Sequence, residues 1–268
     1  QRERLWRYSG EVLIMEAVTK KIMCDKHGEY EAKMIMFGSK GIQSSQCPKC
    51  AAIRLEEERK AEAEKAKFLQ DHRKHRMAEL FDSELPARFK IVSFDTYHAQ
   101  NKGQQKAKEI CNRYCDEFGG KIAQTGGGLI FCGRPGTGKT HLALAIGREV
   151  SQMGLRVVYR NLANLVREVR STWKEEGASE SAMINNFQMY DLLIIDEIGV
   201  QSGTDNERNI LFEIVNGRYE NVRPTIIISN RDVKEVAELI SERSVDRITE
   251  GGAIIPFNWE SNRGGNAA

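Results

Sequence analysis

The chain has 268 residues, of which 40 are basic and 38 acidic, so its formal net charge is +2. This length suits a small module followed by one larger domain. The near balance of charge excludes a strongly basic protein that coats nucleic acid. No apolar run approaches the roughly 20 residues that a membrane span needs. Free thiols without a secretory segment lead us to expect a cytoplasmic protein that makes no membrane contact.

Near the start of the chain lie two pairs of potential metal ligands, Cys24 with His27 and Cys47 with Cys50. Two residues separate the partners in each pair, which is the spacing of a four-ligand zinc site built from two knuckles. Gly28–Phe37 alternates in polarity and predicts a strand pair between them. Zinc would replace the core that about fifty residues cannot supply. A disulfide, unpaired thiols, or iron or another soft metal remain alternatives, and His27 is the weakest of the four ligands.

A charged segment follows, residues 51–80, which is rich in Ala, Glu, Lys and Arg. Pairs such as Glu56 and Lys60, four residues apart, favour a solvated helix, and the apolar positions are too sparse for a coiled-coil seam. Pro86 ends this helix, because proline disfavours helical geometry at the residue before it. The sequence therefore predicts a zinc-binding module, a helical linker and a nucleotide-binding domain, over residues 1–52, 53–84 and 85–268.

Residues 133–140 read Gly-Arg-Pro-Gly-Thr-Gly-Lys-Thr, which fits the phosphate-loop pattern. A buried strand over 126–132 and a helix over 141–153 give it the required context. Backbone N–H groups and the helix start would hold phosphates, Lys139 would reach the β- and γ-phosphates, and Thr140 would bind Mg²⁺. A chance Gly-rich turn is the alternative. The nucleotide-binding candidates are Gly133, Pro135, Gly136, Thr137, Gly138, Lys139, Thr140 and His141.

The next strong signal is Asp191-Leu-Leu-Ile-Ile-Asp196-Glu197, an apolar strand that ends in two acids. Asp196 would lie beside Mg²⁺, and Glu197 would activate a water for attack on the γ-phosphate. The alternative is a strand-end turn with solvated acids. A pair of acids here favours hydrolysis over transfer to a small-molecule acceptor.

Two later elements complete the series. The strand over 224–230 ends at Asn230, which could orient the attacking water. Arg243 and Arg247 lie four residues apart on one face of a predicted helix. An arginine there could stabilise the transition state on a neighbouring subunit's γ-phosphate. A surface salt-bridge helix is the alternative reading of this segment.

The order of these elements resembles an AAA+ ATPase, and the likeness is closer to the DnaC-type helicase loaders. The stretches that carry it are Asp191–Gln201, Glu242–Arg247 and Phe257–Glu260, together with 93–97 and 114–118. The resemblance covers roughly residues 85 to 262. Only about twenty residues follow Arg247, too few for a full helical lid; DnaC-type loaders share this feature, which favours the narrower resemblance.

The resemblance implies a parallel α/β AAA+ P-loop domain of a phage- or prophage-like loader, with ATP and Mg²⁺ as cofactors, to which the spacing of the Cys and His residues adds Zn²⁺. It implies subunits that self-associate through the ATPase domain, bind the hexameric replicative DNA helicase and help place it on single-stranded DNA. The zinc module would be the arm that contacts the helicase. Asp196 and Glu197 would serve Mg²⁺ and water, Asn230 would be the sensor, and Arg247 the arginine finger, with Arg243 as the other candidate.

A helix predicted over 161–174 follows a strand predicted over 155–160. In the families that it resembles, this region is linked to single-strand binding. Arg167, Arg170 and Lys174 are spaced to share a face and could meet phosphates, and Trp173 could stack on a base. Acidic residues at 168, 175 and 176 keep the patch from being strongly basic.

Three other functions compete with the loader. A related transposition-helper ATPase of the IstB kind would bind duplex DNA and a transposase. A small-molecule kinase would transfer the phosphate to a metabolite, against which Asp196, Glu197 and the late arginines argue. An adaptor would work through its N-terminal module alone, with a weak ATPase behind it.

Overall fold

The chain divides into two compact units, residues 1–69 and 70–268. The computed structural model describes residues 5–8, 11–14, 16–37, 40–43, 46–171, 179–199 and 205–261. No helix in these ranges is long and apolar enough to cross a lipid bilayer.

The first unit contains two antiparallel sheets, one of strands β1 and β2 and one in the order β3-β4-β5. Their bounds are Leu5–Tyr8, Glu11–Ile14, Glu16–Cys24, Gly28–Phe37 and Lys40–Gln43. The expectation of a strand pair within Gly28–Phe37 is wrong, because this stretch forms the single strand β4 and pairs with β3 upstream. The physical reason is that residues 29–37 contain no turn-forming residue, whereas Gly28, at φ 81°, closes the turn.

A 37-residue helix, α1, runs from Pro48 to Glu84 and contains the boundary between the two units. It begins between Cys47 and Cys50 and ends two residues before Pro86. Its surface carries ion pairs along the helix, such as Lys60 with Glu56 at 2.8 Å. Phe81 is its one buried residue, so solvent and local charge pairs, rather than a core, surround most of its described length.

The second unit is built on a five-stranded parallel sheet in the order β10-β6-β9-β8-β7. The strands β6 to β10 are Leu129–Gly133, Val157–Asn161, Leu192–Ile198, Thr225–Ser229 and Ala253–Phe257. Helices α2 to α9 are Lys102–Asp116, Ala123–Thr125, Lys139–Gln152, Leu162–Ser171, Glu180–Met189, Asp205–Glu220, Val233–Ile240 and Glu242–Thr249. A 3-10 turn over Ala87–Phe89 and a π turn over Phe118–Ile122 complete this unit.

Apolar residues on both faces of the sheet form its two core layers. Alternate strand residues point to opposite faces, so Leu192 and Ile194 of β8 pack on the side of α2 and α4. Leu193 and Ile195 pack on the other side, with α5 to α9. Burial on both faces explains why these strands read as continuous apolar runs.

The expected strand over 126–132 begins later, at Leu129, because three glycines precede it. A Cβ on Gly127 would lie 2.4 Å from the Gly251 carbonyl oxygen, and one on Gly128 would lie 2.1 Å from that of Thr225. This close approach of backbones needs glycine. From Phe257 to Ser261, the last described residue, no further helix begins, which agrees with the expected lack of a full helical lid in this part of the chain.

Candidate functional site

The predicted phosphate loop joins β6 to α4 at the carboxyl edge of the parallel sheet. Gly133, Gly136 and Gly138 all have positive φ, at 123°, 78° and 93°, so side chains there would be strained. A Cβ on Gly138 would also lie 2.7 Å from a ring carbon of Tyr97. The loop glycines are therefore required by backbone geometry as well as by the approach of a ligand.

Lys139 lies at the floor of this loop and is 4% exposed. Its Nζ donates hydrogen bonds to the carbonyls of Gly133, at 2.8 Å, and Arg134, at 2.7 Å. The Thr137 hydroxyl donates to the Arg134 carbonyl as well, at 2.7 Å. These bonds close the loop and hold a positive charge beneath it, where phosphate oxygens would lie.

Asp196 is the point at which several elements meet. Its Oδ2 accepts hydrogen bonds from the hydroxyls of Thr140, at 2.8 Å, and Tyr159, at 3.0 Å. Its Oδ1 accepts from the backbone N–H of Glu197, at 2.7 Å. The structure thus brings Thr140 and Asp196 together, as the sequence predicts for a magnesium site. Tyr159, in the middle of the adjacent strand β7, is a residue that motif reasoning missed.

Glu197 is exposed at the mouth of the same cleft, and its φ of 61° is rare for a residue with a side chain. Its Oε2 accepts a hydrogen bond from Asn161 Nδ2 at 3.3 Å. Asn230, which follows β9, lines the cleft as well. An exposed carboxylate beside Thr140 and Asp196, the two residues predicted to bind magnesium, is suited to activating a water.

The cleft enclosed by these groups has a volume of about 500 Å³. Beyond the predicted residues, its lining includes Arg88 and Phe89 of the 3-10 turn and Tyr159. Each of these three comes from a segment that is remote in sequence from the phosphate loop and carries no recognisable motif. Only the folded chain shows that they belong to the site.

His141 and Pro135 line the cleft as predicted. His141 Nε2 donates to the Ser93 carbonyl at 2.9 Å, and burial lowers the pKa of the imidazole. Its ring also packs edge-on against Tyr97, with centroids 5.2 Å apart. His141 therefore fixes the Ser93–Tyr97 segment against the start of α4.

Trp259 is a further contact to the loop that sequence reasoning missed. Its indole N–H donates to the Thr137 carbonyl at 2.9 Å, and the Arg134 N–H donates to the Phe257 carbonyl at 3.2 Å. The end of β10 thus holds the phosphate loop from outside. The Phe-Asn-Trp sequence at residues 257–259 contributed to the resemblance to DnaC-type loaders, but it did not predict this contact with the phosphate loop.

The two late arginines lie on α9, away from this chain's own cleft. Arg247 lies over the Tyr219 ring, 5.0 Å from its centroid, and donates a hydrogen bond to Asn216. It lines a small cavity with Gly126 and Thr225, which precede or begin strands, whereas the phosphate loop is at the carboxyl ends. Arg243 is exposed. An arginine here would therefore have to act on another subunit's nucleotide.

The structure describes only part of the surface that was predicted to bind single-stranded DNA. Trp173 and Lys174 lie outside the described residues. Of the rest, Arg167 is exposed and donates to Asn164 Oδ1 at 2.8 Å, and Arg170 is half-buried at the end of α5. The prediction of a shared basic face stays a prediction.

In the first unit, Cys24, His27, Cys47 and Cys50 converge, with their ligand atoms all within 4.8 Å of one another. Cys24 Sγ lies 3.6 Å from Cys50 Sγ, and His27 Nδ1 lies 3.7 Å from Cys47 Sγ and 3.2 Å from Cys50 Sγ. A tetrahedral zinc ion with bonds of about 2.0–2.3 Å sets its ligands roughly 3.4–3.8 Å apart. The donor set and spacing therefore fit zinc.

The thiols of this cluster are electrostatically coupled. A hydrogen bond from the Lys26 backbone is the main reason that the pKa of Cys24 is lowered to about 6. The interaction with Cys24 raises the pKa of Cys50 to about 11. The other three cysteines, Cys111, Cys115 and Cys132, are buried in the second unit, where burial raises each thiol pKa. Only the first-unit cysteines among the described residues are gathered into a ligand cluster.

The strand order, the phosphate loop and the acid-ended strand define an AAA+ type P-loop nucleotide-binding domain. The chain belongs to the family of IstB-like ATP binding proteins, whose model matches residues 56–266. It is 38% identical over 172 residues to the replicative helicase loader DnaC of Escherichia coli K12, covering 64% of this chain and 69% of that protein, and is homologous to it.

Solved structures agree with this assignment. A crystal structure of the DnaC helicase loader matches with a TM-score of 0.57 and 25% identity, over 64% of this chain and 99% of that one. The replication initiator DnaA bound to AMPPCP and single-stranded DNA matches with a TM-score of 0.54 and 22% identity, over 66% of this chain and 52% of that one. The second likeness concerns the fold alone.

Proposed function

We propose that this protein is an ATP-dependent loader that binds the hexameric replicative DNA helicase and helps place it on single-stranded DNA. The observation that carries the proposal is the Thr140–Asp196 pair, with Glu197 beside it, at the phosphate loop of a chain homologous to DnaC. A transposition helper that binds duplex DNA is less favoured, because the helicase loaders match at 36–38% identity. We place the loader in the cytoplasm, together with the replicative helicase.

In the proposed cycle, the loop N–H groups and Lys139 bind the phosphates of ATP. Thr140 and Asp196 hold Mg²⁺, which neutralises charge on the phosphates. Glu197 accepts the proton of the attacking water, and Asn230 orients that water. Tyr159 fixes the Asp196 carboxylate through its hydroxyl.

We further propose that the ATPase domains self-associate, with Arg247 of one subunit reaching the terminal phosphate of the next. Its position at the opposite edge of the sheet from the phosphate loop supports action in trans. Arg243, one helical turn earlier and exposed, is the other candidate. Hydrolysis in this scheme releases the loader from its partner.

The first test is nucleotide binding by the full chain. Replacing Lys139 with Ala removes the charge beneath the loop, so we expect affinity for ATP·Mg²⁺ to fall by at least ~10-fold. Calorimetric titration measures this, and Lys90→Ala, a nearby exposed lysine outside the cleft, is the matched control. Normal ATP binding by Lys139→Ala would show the phosphate-loop assignment to be wrong.

We also propose that Cys24, His27, Cys47 and Cys50 hold a structural zinc ion in a helicase-contacting module over residues 1–52, joined by a linker over 53–84 to the ATPase domain over 85–268. Four N and S donors at tetrahedral separations support zinc. The ion would stabilise a unit that has little core of its own.

Elemental analysis of the purified chain tests the metal site. We expect one zinc ion per chain in the wild type and loss of it in Cys50→Ser, because a hydroxyl is a poor zinc ligand. Cys115→Ala, which removes a buried thiol in the other unit, should keep the ion. Equal zinc content in Cys50→Ser and the wild type would contradict the assignment.

A further inference from the structure

The lining of the nucleotide cleft includes two basic side chains, Lys139 and Arg88. Lys139 donates to the carbonyls of its own loop. Arg88 is exposed at the cleft, and no hydrogen bond or ion pair engages its guanidinium among the residues that the structure describes. Arg88 is thus a second cation of this lining, besides Lys139, that a bound phosphate could contact.

A series of contacts locates Arg88 at the magnesium end of the cleft. Its guanidinium lies over the Phe89 ring, 4.4 Å from the centroid. Phe89 in turn packs edge-on against Tyr159, with centroids 6.0 Å apart, and the Tyr159 hydroxyl donates to Asp196. Burial, Asp196 and Glu197 raise the pKa of the Tyr159 phenol, whereas Arg88 lies close enough to lower it. The terminal phosphate of a bound triphosphate would lie beside these groups.

The turn that carries Arg88 is held in place. Its backbone closes through hydrogen bonds from Phe89 N to the Pro86 carbonyl, at 2.8 Å, and from Lys90 N to the Ala87 carbonyl, at 3.2 Å. Arg148 of α4, the helix that begins in the phosphate loop, donates to the Lys90 carbonyl at 2.8 Å. The turn and the phosphate loop are therefore fixed to the same helix, which lowers the entropy cost of a contact between Arg88 and a phosphate.

We propose that Arg88 binds the terminal phosphate of the nucleoside triphosphate within the same subunit and makes the cleft select triphosphate over diphosphate. A planar guanidinium matches phosphate oxygens in pairs, and a diphosphate lacks the group that it would contact. This inference rests on the proposed binding of ATP in the cleft.

The end of α1, directly before the Arg88 turn, is tied to the same part of the fold. Arg148 donates to Asp82 Oδ1 at 2.8 Å, and Arg160 of β7 donates to Glu84 Oε2 at 2.7 Å. These ion pairs further limit the movement of the Arg88 turn relative to the phosphate loop.

The test compares the affinities of the full chain for a non-hydrolysable ATP analogue and for ADP, each with Mg²⁺, by calorimetric titration. For Arg88→Ala we expect the affinity for the triphosphate analogue to fall by ~10- to 100-fold, the effect of losing a charge-assisted phosphate contact, and that for ADP to fall less than ~2-fold. Arg88→Lys should keep part of the preference, and Lys90→Ala, the adjacent exposed cation, should keep all of it.

The outcomes separate this inference from the proposed function. If the wild type binds both nucleotides and Arg88→Ala loses affinity for both equally, or for neither, Arg88 does not read the terminal phosphate. If the wild type binds neither nucleotide, the ATP-binding function fails and the inference falls with it. Thermal unfolding of Arg88→Ala should match the wild type, because the side chain is exposed.

Discussion

Glu197 occupies an unusual position for a strand residue, since its neighbours on β8 are buried while its own side chain faces the cleft. Its positive φ is a conformation that costs on the order of 1–3 kcal/mol for a residue with a Cβ. The register of β8 on β9 shifts between Ile195 and Ile198, on either side of the two acids. This irregularity turns Glu197 outward beside Asp196, where it can meet a water.

Replacing Glu197 with Gln keeps the size of the side chain and removes its basicity. We therefore expect ATP hydrolysis to fall by ~10²- to 10⁴-fold, with ATP binding nearly unchanged because Lys139 and Thr140 remain. Steady-state phosphate release and calorimetric titration measure the two quantities. Glu213→Gln, an exposed acid on α7, is the matched control, and hydrolysis at the wild-type rate in Glu197→Gln would exclude this residue as the base.

Residue identities could be predicted where chemistry fixes both type and spacing, as at Lys139, Thr140 and Asp196. Tyr159 and Arg88 could not be predicted in the same way. Each acts through neighbours that only folding supplies: Tyr159 through the pairing of β7 with β8, and Arg88 through the docking of its turn beside α4. Nothing in their local sequence distinguishes them from a strand tyrosine and a surface arginine.

At the scale of elements, β10 forms one edge of the sheet and also supports the phosphate loop. It pairs in parallel with β6, the strand that leads into the phosphate loop, and Trp259 just beyond it packs on Phe257, with ring centroids 4.8 Å apart. The indole N–H then reaches the Thr137 carbonyl. Fixing this carbonyl on the outside of the loop helps the loop N–H groups point inward.

Trp259→Phe retains an aromatic ring in this position and removes the indole donor. One neutral hydrogen bond contributes about 1 kcal/mol, so we expect ATP affinity to weaken by roughly 3- to 10-fold, with little change in the maximal hydrolysis rate. A titration series with ATP·Mg²⁺ measures both. Tyr190 packs against Phe187 away from the loop, so Tyr190→Phe should bind as the wild type does. Unchanged affinity in Trp259→Phe would show that the hydrogen bond from Trp259 to the Thr137 carbonyl has no role in binding.

The buried strands and the phosphate-loop helix could be predicted because apolar runs and glycine breaks mark them. The contacts that join elements to one another could not be predicted, as a buried arginine shows. Arg218 of α7 is fully buried and donates to the carbonyls of Phe187, Tyr190 and Pro224 and to the Thr225 hydroxyl, while burial lowers its pKa to about 9. It joins α6, α7 and the start of β9, a role that depends on three segments meeting in space.

At the scale of the whole molecule, the chain combines a unit that carries a zinc-type cluster with a unit that carries the nucleotide cleft. The parallel α/β fold and its family were predictable because three strand-end signals and a late helical arginine pair occur in a fixed order along 133–247. The boundary between the units was not, because it falls within α1, where composition is uniform. A continuous charged helix gives no local mark of the residue at which one unit ends.

The measurement that tests the central claim is sedimentation of the full chain with the hexameric replicative helicase of the organism that encodes it, with ATP and Mg²⁺. We predict a stable complex with the wild type, weakened in Lys139→Ala and retained in Lys90→Ala. Failure of the wild type to associate with the helicase, together with intact ATP hydrolysis and binding to duplex DNA, would contradict the loader function and favour a transposition helper.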